Sequence, residues 1–84
     1  MSKYFGITVV GAKKEIVPAD GKKLTLEEMQ AAVGGYIERV VIPKVGEMYV
    51  DEEGLLKGKP INQMASLIAG MPIVGDVLIV RRGK

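Results

Sequence analysis

Leu24–Pro43, LTLEEMQAAVGGYIERVVIP, reads as a helix, its stop and the strand that follows. Thr25 is a good N-cap, and Glu28 three residues later completes a capping box, in which each side chain accepts from the other's backbone N–H. Leu26, Met29 and Val33 share one helical face, with Glu27, Glu28 and Gln30 largely off it. Gly34 and Gly35 end the helix, where one residue usually takes positive φ. Tyr36–Ile42 is β-branched and aromatic enough for a strand.

Working outward toward the N-terminus, Lys3–Val10 is rich in strand formers and is expected as the first strand. Gly11–Lys14 is then a turn, and Glu15–Val17 a short second strand stopped by Pro18, which cannot donate to a ladder. Asp20-Gly21 is a turn dipeptide leading into the capped helix. Toward the C-terminus, Pro43–Gly46 is a turn and Glu47–Val50 a strand with Met48 and Val50 on one face. Asp51-Glu52-Glu53-Gly54 is expected as a hairpin turn with Gly54 at positive φ, followed by a short strand over Leu55–Lys57. Pro60 sits where a first helical turn would begin. Ile61, Met64, Ala65 and Ile68 recur at helical spacing, so a second short helix should run to Gly70. Val74–Arg82 contains VLIV, an uninterrupted apolar run that argues burial on both faces and a central strand. The end, Arg81 to Lys84, is basic and expected to be solvated.

The element order is therefore ββαβββαβ, or close to it. The fold class is α+β: a mostly antiparallel sheet of about five to six strands with one or two short helices on one face. Eighty-four residues make one domain with a modest core. The hydrophobic fraction of 48% is high for so short a chain, so self-association into a homo-oligomer is expected. The four aromatics are Tyr4, Phe5, Tyr36 and Tyr49, which leaves an aliphatic core. Met29, Met48, Met64 and Met71 are at core spacing and read as packing, although a Met-lined surface also suits a partner.

With neither cysteine nor histidine, the chain has no thiolate chemistry, no disulfide, no usual base near neutral pH and not the commonest zinc ligand. No stretch approaches the roughly 20 apolar residues of a membrane span, and a cytoplasmic location is expected. Net charge is only +2, from twelve basic and ten acidic residues. Basic residues pair at Lys13-Lys14, Lys22-Lys23, Lys57 with Lys59, and Arg81-Arg82. They are interleaved with acids and short of aromatics, so nucleic acid is a secondary partner class.

Candidate chemistry is sparse. Asp51, Glu52 and Glu53 match no calcium loop, point in different directions and read as a solvated turn, so no metal site and no cofactor are expected. No acid–base pair or nucleophile constellation supports an enzyme. The turn at Gly34-Gly35-Tyr36 lies at the negative end of its helix, which disfavours an anion there. Tyr36 is placed to stack on a base or to pack at the core edge. Asn62, at the start of the second helix, is suited to a ligand amide or to a cap. Lys57 and Lys59 precede that helix, which makes this the best place for a phosphate. Tyr36, Lys57, Lys59 and Asn62 are thus the candidate ligand-binding residues.

Four segments together carry a resemblance: Val33–Glu38 (VGGYIE), Asp51–Gly54 (DEEG), Pro60–Asn62 (PIN) and Ile73–Val80 (IVGDVLIV). With the helix before them they resemble a family of small domains of unknown function found in bacteria, their phages and mobile elements. The likeness covers roughly Leu24 to Val80. Lys59 departs from it, since the family usually has an apolar residue before the proline. No activity or catalytic residue comes with the resemblance. It implies a phage or mobile-element setting and an accessory role. The expected function is a non-enzymatic binding module holding a host protein or small ligand. Sequestration of a signalling nucleotide by a homo-oligomer, and nucleic-acid binding through the basic pairs, are the alternatives.

Overall fold

The computed structural model describes residues 3–82. The elements run β1 (Tyr4–Ile7), β2 (Lys13–Glu15), α1 (Leu26–Val33), β3 (Ile37–Ile42), β4 (Gly46–Asp51), α2 (Gln63–Ala69) and β5 (Val77–Arg81). The five strands form one antiparallel sheet in the order β2-β1-β5-β4-β3. β5, the apolar run, is central as its composition demands: Val77, Leu78 and Ile79 are all buried.

The capping box forms as written. Thr25 Oγ1 accepts from Glu28 N–H at 3.1 Å and Glu28 Oε1 accepts from Thr25 N–H at 2.8 Å. Gly34 closes α1 in the left-handed region. α1 turns Val33 and Met29 inward, but Leu26 is exposed, and the apolar residue that joins them is Leu24, just ahead of the cap.

Because side chains alternate along a strand, adjacent residues of β5 feed two cores. Leu78 packs with Tyr4, Leu24 and Val33 beneath α1. Ile79 packs with Met48, Val50, Ile73, Val77 and Ala65 of α2. The helices therefore cover opposite faces of the sheet, not one. An all-apolar central strand needs a cover on each side, and each helix supplies one.

Four other expectations change. β1 ends at Ile7, and β2 starts at Lys13, two residues early. Thr8 closes the hairpin itself: its N–H donates to Ala12 O (2.9 Å) and its hydroxyl accepts from Ala12 N–H (3.1 Å). No strand forms over Leu55–Lys57, which lie in consecutive turns. α2 begins at Gln63 and not at Pro60. Ile61 is still extended, bridged to Val74, and Asn62 N–H donates to Ile73 O at 2.8 Å. Met48 is buried, whereas Met64 and Met71 are about half exposed. Lys84, in the expected basic end, lies outside the described residues.

Candidate functional site

The connection from β4 to α2 is built on one carboxylate. Asp51 ends β4, and its side chain is fully buried. Oδ1 accepts from Glu53 N–H at 2.8 Å. Oδ2 accepts from Lys57 Nζ at 2.9 Å and from Lys59 Nζ at 2.7 Å. The two ammonium groups continue to the C-terminal carbonyls of α1: Lys57 to Gly34 O at 3.3 Å and Lys59 to Val33 O at 3.0 Å. Cations belong at this negative end of a helix. One buried carboxylate thus fastens the loop, the end of β4 and the end of α1 together. The Lys57 ammonium first, then Lys59 and the Glu53 N–H, hold the Asp51 carboxyl well below the usual carboxylate range, against burial, which pushes it up. The same contact raises the Lys57 ammonium. Lys59 contributes the shorter of the two lysine contacts to the carboxylate.

The loop backbone is pinned at each turn. Gly54 N–H donates to Asp51 O (3.0 Å), Lys57 N–H to Glu53 O (2.9 Å), Gly58 N–H to Leu55 O (3.1 Å) and Lys59 N–H to Gly54 O (3.0 Å). Gly54 does not take positive φ as expected. It is glycine for space, since a Cβ there would meet Val74 Cγ2 at 2.8 Å. The tip of this pinned loop carries Leu55 and Leu56, 82% and 88% exposed. Beside Leu55 lies a depression of about 200 Å³, walled by Val50, Met71, Pro72 and Ile73 and edged by Glu38 and Glu52. Met71 is 49% exposed. This is an apolar seat with acidic residues beside it, next to a loop held by its own backbone bonds.

The sequence-derived candidates meet this loop differently. Lys57 and Lys59 converge on Asp51. Tyr36 flanks the loop: its carbonyl accepts from Glu52 N–H at 2.8 Å, and its side chain is 66% exposed. Asn62 points inward and is fully buried. Its Nδ2 donates to Ile7 O and Gly75 O, both at 2.9 Å, and its Oδ1 accepts from Ala65 N–H at 3.0 Å as the cap of α2. Asp51, read as part of a solvated turn, is the buried centre of the loop, and Leu55 and Leu56 were read as strand. The run Leu-Leu beside glycines and acids was the available signal for an exposed apolar tip.

A recess of about 590 Å³ lies between α1 and the β1–β2 hairpin. Two of its acids are engaged: Glu28 in the capping box and with Ala19 N–H (2.9 Å), and Asp76 with Val9 N–H (3.0 Å). Among the described residues no group of three His, Cys, Asp or Glu side chains is placed to hold a metal ion, and no helix is long and apolar enough to cross a membrane. The remaining basic pairs are dispersed over β2, the loop before α1 and the end of β5. Lys13 lies over the Phe5 ring at 4.6 Å.

A model of a family described as Domain of unknown function (DUF3846) matches residues 6–84. The chain belongs to the DUF3846 family. No curated protein and no solved structure matches it. The match takes in every strand and helix of this DUF3846 domain except the first two residues of β1. The stapled loop from Asp51 to Lys59 is therefore part of the DUF3846 domain and not an appendage to it.

Proposed function

We propose that this DUF3846 domain is a non-catalytic protein-binding module that works by occupying a partner. The setting we propose is that of a phage or mobile element, acting on a host factor. The observation that carries this reading is the loop tip. Leu55 and Leu56 are held out to water by a backbone fixed at Asp51, Lys57 and Lys59, so their exposure is built in. Binding there orders little further chain, which removes a main cost of association. An apolar seat next to Glu38 and Glu52 fits a partner segment with an apolar anchor flanked by Lys or Arg. The polar candidates support a protein ligand over a nucleotide. The ammonium groups of Lys57 and Lys59 are engaged with Asp51, and both Asn62 polar atoms are satisfied inside the fold.

The test is co-purification from infected host cells, comparing the wild type with a Leu55→Ser/Leu56→Ser variant by quantitative and native mass spectrometry. The two leucines touch little, so the variant keeps its melting temperature. A protein retained by the wild type and lost from the variant is the expected result. Identical retained proteins, or a stoichiometric mass of nucleotide size in both, would overturn the reading.

A further inference from the structure

The two edges of the sheet are treated in opposite ways. β2 is three residues long, and all of them, Lys13, Lys14 and Glu15, are exposed and charged. Short charged edges resist pairing with another strand. β3 is six residues, IERVVI, paired to β4 without interruption from Ile37↔Asp51 to Ile42↔Gly46. Nothing pairs with its outer side among the described residues. No proline or bulge interrupts it, and Val41 is 54% exposed.

We infer that the β3 edge pairs with β3 of a second copy of this chain, antiparallel about a two-fold axis. The sequence of β3 also selects the register. A two-fold normal to the sheet keeps the faces aligned, so residues of like parity meet. Centring the pair on Arg39 puts two arginines opposite each other, and centring it on Glu38 does the same with two glutamates. Like charges directly opposite are unfavourable. Centring on Val40 is the longest register free of that conflict. It sets Val40 against Val40, Arg39 against Val41 and Glu38 against Ile42. It also brings Lys44 of the other copy one diagonal step past Ile42, toward Glu38. The result is a continuous ten-stranded sheet with both helices duplicated on their faces. This surface is distinct from the Leu55–Leu56 tip, and neither reading requires the other.

The test uses Val41, whose two neighbours carry opposite charges. Within one chain it faces Glu47 on β4. Across the inferred pair it faces Arg39. Val41→Lys therefore favours the fold of one chain and opposes the pair, and Val41→Glu does the reverse. Sedimentation velocity across the micromolar range, with thermal melts of each protein, reads both effects. The expected result is a concentration-dependent dimer in the wild type, kept by Val41→Glu and lost by Val41→Lys, although Val41→Lys melts no lower. A wild type that stays monomeric throughout overturns the inference. So does a dimer that survives both substitutions, or loses both equally.

Discussion

Asp51 is a carboxylate with no exposed surface, held by two lysines that retain partial access to water. Such a group is stabilising only while its partners are in place. Asp51→Asn keeps the shape and the Glu53 contact but leaves two ammonium groups without their counter-charge. It is expected to cost about 3 kcal/mol, near the lower end for a broken buried pair, because both lysines can swing to solvent. The pH dependence follows from the direction of the shift. A carboxyl whose folded pKa is depressed contributes its full stability above the ordinary value of 3.8. Below that value the unfolded chain takes up the proton first, and the contribution falls until the folded carboxyl itself protonates. Lys57 has the opposite sign: its raised pKa adds stability below the ordinary 10.5, lost as pH climbs through the folded value. Urea unfolding midpoints measured from neutral pH down through the carboxylate range should fall steeply in the wild type and much less in Asp51→Asn. Parallel curves would mean that the buried pair does not set the acid limb.

At the scale of elements, what was legible in the sequence was local. The capping box of α1, its glycine stop and the central strand β5 each follow from residues within one or two turns of one another. The start of α2 was not legible from local signals. Pro60 looks like a first helical residue, but Ile61 is drawn into a bridge with Val74, and that contact exists only once β5 has brought residue 74 back. The helix then starts at Gln63, capped by the Asn62 side chain, which also ties β1 to the loop before β5. The Asp51 staple was illegible for the same reason, since the string Asp-Glu-Glu-Gly has the composition of a solvated turn. Of the four candidate ligand-binding residues, the fold holds Lys57, Lys59 and Asn62 in structural networks, and Tyr36 keeps a largely exposed position. The two caps should therefore respond differently to truncation. Thr25→Ala removes one exposed cap bond and is expected to cost about 1 kcal/mol. Asn62→Ala removes a cap together with the buried side-chain donor to the carbonyls of Ile7 and Gly75. At about 1–3 kcal/mol for each buried polar group that loses a partner, it should destabilise more than Thr25→Ala in denaturant unfolding. Equal losses would show that Asn62 acts as a cap alone.

At the scale of the whole molecule, two aliphatic cores are divided by a sheet one strand thick. Leu78 belongs to the core under α1 and Ile79 to the core under α2, yet they are neighbours in the chain and both are fully buried. Their strand is bonded to β1 on one side and β4 on the other. Neither core can open far without straining the backbone that supports the other. Asn62 and Asp51 add ties across the same divide, from α2 and its loop to β1 and to the end of α1. The molecule should consequently unfold as one unit, as small single domains usually do. Leu78→Ala and Ile79→Ala are each expected to cost about 3 kcal/mol, typical of a buried aliphatic cut to alanine. Each should lower the protection of amides in both helices equally when hydrogen exchange is followed under native conditions. If Leu78→Ala loosened α1 and left α2 protected, the two cores would be independent units, and the ties through Asn62 and Asp51 would not couple them. Coupling also bears on the loop tip, because Leu55 and Leu56 are held out only while Asp51 is clamped between α1 and β4. A core mutation on either face should therefore free the loop amides of Lys57 and Lys59 to exchange together with the helices, and not before them.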